Sequence, residues 1–563
     1  MNHNAVPLQA LRPLWLALFA VSPALAAAQA TAPNAGSILQ QITPVQPAAP
    51  SATGTGLKVL EEGTASLPPS APFLVQKLQI TGNTLFDTAS LHALVADGEG
   101  KELILPQLGE LVGRITRHYQ SNGYPLARAI IPAQVIKAGI VRIEVIEARY
   151  GRVRFDNSSQ ASTSLLQATL ASLQGGDVIA QAEMDRSLLL LSDIPGVVIA
   201  ATLKPGEAVG SSDMLVNATP GPRITGNLVL DNNGNRYTGR ARAGGTLHIN
   251  NPMQHGDILN VSALTSGSGL NYGRLVYESV LNGQGTRLGG SYSALDYELG
   301  DTLAPLNAHG NARTASLWAK HPFIRSRSVN LYGEMQYDQL RLRDRVDATG
   351  IRTDRHLDNW TISLIGDLRD GLLAGGVNIW NLRWTTGRVA FDDALALATD
   401  AATARSAGSF SKWQASFARL QTLGAQDALY LVISGQAANT NLDSSQKMSV
   451  GGPYSVRAYD IGALSGDTGY QATVELRHDL GQNWGGQWQA VAFVDSARLR
   501  VNQTTWGGGT NSATLSGAGL GLSWLGPQGV SVRAHVAAPI GSTPALLGTT
   551  NSVRAWMEIV KAI

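Results

Sequence analysis

The chain contains no cysteine, which removes disulfide scaffolds, thiolate metal sites and cysteine catalysis together. That absence is compatible with an oxidising compartment. Charge is also scarce. Only 15% of the 563 residues are charged, and they nearly cancel to +2, so no electrostatic footprint for nucleic acid exists. The apolar run Leu14 to Val21 is too short to cross a bilayer, and none of roughly 18 residues or more follows it. A mean hydropathy of -0.01 is far below that of a helical membrane protein. The ten histidines are scattered, with no serine elbow and no metal spacing. Gly517-Ala518-Gly519 lacks the strand-to-helix context of a nucleotide loop, and strand packing explains it better. No catalytic residue, metal, nucleotide or other cofactor is therefore expected.

What the chain does have is glycine, 61 residues of it, and an ordered series of compositional zones. Residues 1–30 read as an export signal. Arg12 supplies the charge, and Ala24-Leu25-Ala26 or Ala28-Gln29-Ala30 the small-x-small cleavage site. Residues 31–72 are rich in Ala, Pro, Ser, Thr, Gln and Gly and form a linker. One segment interrupts it: Gly36 to Ile42 forms a short helix with Ile38, Leu39 and Ile42 on one face, which needs a surface to dock against.

Two compact α+β units follow, 73–148 and 149–222. In the first, a strand Phe73 to Ile80 ends at Thr81-Gly82-Asn83, and a helix spans Thr88 to Val95. A second helix carries Leu108, Leu111, Val112, Ile115 and Tyr119 at helical spacing and stops at Asn122-Gly123. Strands at Ala127 to Ile131 and Gly139 to Ile146 close the unit. The second unit repeats the order, with Pro195-Gly196 turning its last helix into a strand.

Both units resemble polypeptide-transport-associated (POTRA) domains. The resemblance rests on Gly82, Tyr119, Gly123, Tyr124, Pro132 and Gln134 in the first unit and on Pro195 and Gly196 in the second. Ala148 departs from the family's usual glycine at the first unit's exit. A small mixed sheet with an exposed edge can accept an extended client strand through main-chain hydrogen bonds. Merely spacing the chain is the other role open to such units.

From Arg223 onward the hydrophobic period becomes two. Val329, Leu331, Met335 and Tyr337 alternate with Asn330, Tyr332, Glu334 and Asp338, and Trp360, Ile362, Leu364 and Leu368 alternate with polar residues. Alternation alone does not say whether the apolar face meets lipid or a soluble core. The export signal, the number of such segments and the tryptophans expected near strand ends (Trp360, Trp380, Trp384, Trp413) favour lipid. Strands in a bilayer must close into a barrel, and 223–563 has room for roughly 16 of them. The fold class expected is mainly β: a C-terminal transmembrane antiparallel barrel behind two α+β units and a short amino-terminal helix.

Within this region Asn441 to Asp460 carries an odd turn, Arg457-Ala458-Tyr459-Asp460, behind Gly451-Gly452. With Phe493-Val494-Asp495, Gly466-Asp467 and Glu475-Leu476-Arg477 it resembles the outer-membrane transporters of the two-partner secretion (TpsB) family, the ShlB/FhaC/HecB haemolysin secretion/activation proteins. The resemblance implies that a long extracellular loop folds into the barrel and that Arg457 ion-pairs with Asp495 on the inner wall, with Tyr459, Asp460 and Phe493 in the same lock. It also implies that Ile38, Leu39 and Ile42 belong to a plug helix in the lumen. Ala458 stands where the family has glycine, so the loop tip is expected to take a different backbone. Ile563 stands where barrels commonly end in an aromatic read by the assembly machinery.

The function implied is export of an unfolded secreted exoprotein through the outer membrane, with the POTRA units in the periplasm. The partners implied are that client, outer-membrane lipid and the barrel-assembly machinery. A barrel-assembly factor of the same superfamily is the alternative, although it usually carries more POTRA units, and a passive porin has no reason to carry any.

Overall fold

The computed structural model describes residues 32–42, 57–59, 70–548 and 551–563. The export signal expected at 1–30 and most of the expected linker lie outside them. The short helix, α1, runs Ala35–Ile42.

In the first α+β unit the expected opening strand splits into Phe73–Val75 and Lys77–Thr81. The cause is local: the backbone N–H groups of Gln76 and Lys77 both donate to the Gly139 carbonyl, at 2.8 and 3.2 Å. The helix Leu105–Ser121 lays Leu108, Leu111, Val112, Ile115 and Tyr119 against Val141, Ile143 and Val145. The second unit packs helices Thr163–Thr169 and Gln181–Ser192 on a four-stranded sheet. Its strand order is Leu57–Val59, Val197–Pro205, Ser211–Pro220, Arg149–Asn157. The first of these comes from the linker and lies parallel on the outer edge of its neighbour.

Sixteen strands then close into an antiparallel barrel. They begin with β1 Ile224–Asp231, β2 Arg242–Asn250, β3 Ile258–Thr265, β4 Leu270–Val280 and β5 Arg287–Glu298. The tall side follows: β6 Ala308–Arg325, β7 Val329–Val346, β8 Ile351–Asp370, β9 Gly376–Phe391, β10 Gly408–Thr422 and β11 Asp427–Ala438. The last five are β12 Thr468–Asn483, β13 Gly486–Arg500, β14 Ser512–Leu525, β15 Val530–Pro539 and β16 Arg554–Ala562. Strand length is uneven, 20 residues in β8 against 8 in β1 and 9 in β16.

The alternation sorts as a membrane barrel requires. Leu230, Met335, Ile362, Val494 and Leu520 face outward and exposed, while Asn330, Asn359, Asp367 and Asp495 face inward and buried. Trp360, Trp384 and Trp413 sit in mid-strand, which corrects the expectation that they lie near strand ends. The strands here are simply longer than the ~10 residues that cross a bilayer. Tyr337 and Trp360 are cross-strand partners with ring centroids 5.0 Å apart, and so are Trp384 and Trp413 at 6.4 Å, which makes a belt part-way up the wall. Trp484, Trp488 and Trp524 pack edge-on or tilted at the end nearest the α+β units.

The second unit is fastened to the turns at that end. The Asp193 carboxylate accepts two hydrogen bonds from Arg325, at 2.8 and 2.7 Å, and Asp185 accepts two from Arg327, at 3.0 and 2.6 Å. Gly196 packs beside Asn250 and Asn251 in the first such turn. The helix Ala394–Ala402, unexpected from sequence, stands in the loop between β9 and β10 at the far end.

Candidate functional site

The lumen is occupied by two segments of the chain itself: α1 and the loop 439–467, called L6 here. L6 is a folded hairpin, since Met448–Val450 pairs with Leu464–Gly466. Gly451 and Gly452 turn it with φ of +98° and +104°, and a Cβ at either would press on Asp460, Ile461 or Ala463. At its base Asp467, fully buried, accepts from Lys447 at 2.7 Å, from the Leu442 N–H at 3.1 Å and from the Gln503 N–H at 2.7 Å.

The loop tip places Arg457 against the wall of β12 and β13. Its Nε and Nη2 donate to the two oxygens of Asp495 at 2.8 and 2.7 Å, and its backbone N–H adds a third bond at 3.0 Å. Nη1 donates to Glu475 at 2.7 Å. The guanidinium carbon lies 3.3 Å from the centroid of the Phe493 ring. Phe493 and Asp495 are two residues apart on β13, so both point inward. Thr473 donates to Asp495 at 2.9 Å, and Arg477 forks onto Glu475. Two carboxylates thus face two guanidinium groups, which makes the buried cluster neutral. Removing one member would strand the others, at a cost of about 3–5 kcal/mol.

Ala458 keeps a negative φ. Its methyl group is buried against Gly517 of β14, where a Cβ would collide with it. Tyr459 is buried beside Val456 and Phe493, and its carbonyl accepts from the Gly452 N–H at 3.1 Å. Asp460 does not join the Arg457 cluster. Its carboxylate accepts instead from Arg240 at 2.9 Å and Arg554 at 2.5 Å.

The helix α1 packs inside the barrel, with Ile38 buried and Leu39 and Ile42 partly so. It rests on an apolar patch of inner wall that includes Leu295, Leu342, Leu357, Val389 and Phe410. The Ala35 N–H at its amino end donates to Asp344 of β7 at 2.7 Å, a charge placement that suits a helix start. Asp344 also accepts from Tyr297 and from Arg355, both at 2.6 Å. Arg355 reaches on to Asp443 of L6 at 2.6 Å and to Ser444, whose hydroxyl donates to Asn34 at 2.8 Å. Plug, wall and loop therefore share one polar network. Sequence reasoning missed it, because 344, 355 and 443 belong to separate elements and no local spacing links them.

In the first α+β unit Tyr119 reaches Glu147, another residue the sequence did not flag. Glu147 accepts from the Thr84 and Leu85 N–H groups at 2.7 and 2.9 Å, from the Thr84 hydroxyl, and from Tyr119 at 2.9 Å. Burial pushes its carboxyl up, but these hydrogen bonds outweigh burial and hold it below the ordinary range. Burial, then the hydrogen bond to Glu147 and its charge, pushes the Tyr119 phenol up. Gly82 and Gly123 take φ of +84° and +90°, and Tyr124 stacks edge-on to Phe86. The Gln134 amide extends the sheet beyond Ile130: it donates to the Arg142 carbonyl and accepts from the Arg142 N–H, both at 2.8 Å. Pro132 leads into that turn, its carbonyl accepting from Gln134 at 3.4 Å. Among the described residues no group of acidic or histidine side chains is placed to hold a metal ion.

Comparisons with known proteins bear on the family and the fold. Residues 210–524 match the family described as haemolysin secretion/activation protein ShlB/FhaC/HecB, and 73–148 match the POTRA domain, ShlB-type. The heme/hemopexin transporter protein HuxB of Haemophilus influenzae is 26% identical over 505 residues, 88% of each chain. Among solved structures, CdiB from Escherichia coli superposes with a TM-score of 0.69 at 21% identity, covering 90% of this chain and 93% of that one. CdiB from Acinetobacter baumannii gives 0.60 at 19%, covering 92% and 93%. The likeness to the two structures is one of fold.

Proposed function

Since this chain belongs to the haemolysin secretion/activation (ShlB/FhaC/HecB) family of outer-membrane transporters, we propose that it carries an unfolded partner exoprotein from the periplasm through its own barrel. The observation that carries this reading is a lumen closed by two segments tied to the wall by side chains. Such contacts are reversible, and their release frees a conduit. In this scheme Arg457, Phe493 and Asp495 hold L6, while Ile38, Leu39 and Ile42 seat the plug.

The α+β units face the periplasm and receive the client as an added strand. On the second unit the outer edge of Val197–Pro205 already carries Leu57–Val59. A client strand must displace that segment or use another edge, such as Lys77–Thr81 or Arg149–Asn157. No nucleotide is at hand outside the cytoplasm, so net progress comes from folding of the client at the surface. Outer-membrane lipid surrounds the barrel, and the barrel-assembly machinery inserts it.

The test is secretion of a co-expressed client with and without the transporter. Equal amounts outside the cell in both would refute the reading.

A further inference from the structure

The barrel closes where β1 meets β16, and this junction is built unlike the others. Neighbouring β7 and β8 are in register from Val329–Leu368 to Val346–Ile351. Across the seam the register runs only from Asn227–Ala562 to Asp231–Glu558. Gly226 and Ile563 extend it at the periplasmic end, and the Asn232 N–H to the Met557 carbonyl, at 3.2 Å, is its last backbone bond at the extracellular end. Beyond that point side chains take over. The Asn232 amide accepts from the Met557 N–H at 2.8 Å and donates to the Ala555 carbonyl at 3.2 Å.

L6 supplies the rest. Asp460 holds Arg240, in the loop leaving β1, with one oxygen and Arg554 of β16 with the other. Tyr454 does the same one step lower: its hydroxyl donates to Glu558 of β16 and accepts from Asn233 beyond β1, the latter at 3.5 Å. The Trp556 indole of β16 donates to the Arg457 carbonyl at 2.7 Å. Two residues of the inward loop each have one partner on either side of the barrel's only first-to-last junction.

We propose that L6 is the clasp of this seam: when the loop withdraws from the lumen, Asp460 and Tyr454 let go of both sides, β1 and β16 part at their extracellular end, and the pore widens by opening its wall. This rests on the transport reading above. Asp460 and Tyr454 are thereby positioning residues for transport, distinct in role from the Arg457–Asp495 pair that fixes the loop itself. A pore that only emptied its lumen would leave the wall shut.

The absence of native cysteine makes the test direct. Leu230 and Ile559 are register partners across the seam, and Leu247 and Val261 are partners between β2 and β3. Leu230→Cys with Ile559→Cys should secrete normally when reduced. When oxidised it should fall to roughly a tenth or less, as a tenfold cut in the open population requires. The Leu247→Cys, Val261→Cys pair should be indifferent to oxidation. Asp460→Asn with Tyr454→Phe should raise conductance in planar bilayers, and oxidising the seam pair in that background should abolish the rise. Heat-modifiable gel migration verifies that each variant is folded. Full secretion through the oxidised seam, or extra conductance that survives the cross-link, would overturn the proposal. No secretion by the cysteine-free chain would instead sink the transport reading.

Discussion

The methyl group of Ala458 fills the space that Gly517 leaves on β14; a Cβ at Gly517 would occupy the same place. The two positions are complementary, with a small residue on the wall admitting a larger one on the loop tip. Gly517→Ala should therefore push L6 off the wall, at a cost of about 1–3 kcal/mol typical of overpacking. Adding Ala458→Gly should recover most of that loss. Thermal unfolding of the detergent-solubilised barrel measures both.

Arg457→Ala or Asp495→Ala should each destabilise the seated loop by about 3–5 kcal/mol. The reversed pair, Arg457→Asp with Asp495→Arg, should recover part of the loss. Recovery is limited because Glu475 would then face a second carboxylate at 457. Adding Glu475→Gln should improve it, as read by secretion and by protease access to L6.

Asp344→Ala should loosen the plug. It deletes the carboxylate that takes the Ala35 N–H and leaves Arg355 with one carboxylate, Asp443, where it had two. A loss of about 1–3 kcal/mol is expected, visible as more frequent open events in single-channel recordings.

Glu147→Gln should cost the first α+β unit about 1.5–3 kcal/mol at neutral pH. The carboxyl of Glu147 is held below its ordinary range, so its stabilisation is present above an unfolded pKa of about 4.3 and fades as pH falls through the lower folded value. Wild type and variant should thus converge in acid. Hydrogen exchange at the Thr84 and Leu85 amides across pH 3 to 8, roughly the span that brackets the carboxylate range, reports this.

Much of the architecture was legible because it depends on local periodicity. Alternation along β7 and β8 marked the barrel, helical spacing from Leu108 to Tyr119 marked the first unit's core, and Ile38 to Ile42 falls within α1. Arg457 and Asp495, thirty-eight positions apart, were paired only through the resemblance of their motifs. What stayed hidden depends on closure in three dimensions. Arg355 meets Asp443, Asp460 meets Arg240, and Leu57–Val59 joins a distant sheet, none with a local signal. The tryptophans were misplaced because alternation gives a strand's faces and leaves its height open.

That unequal height has a consequence at the cell surface. At a rise of ~3.3 Å and a tilt of ~40°, β8 stands about 50 Å tall and β1 about 20 Å. The exit is a lopsided spout with a high back wall and a low lip. Under the transport reading proposed above, a polypeptide would leave over the lip, on the side where β1 meets β16.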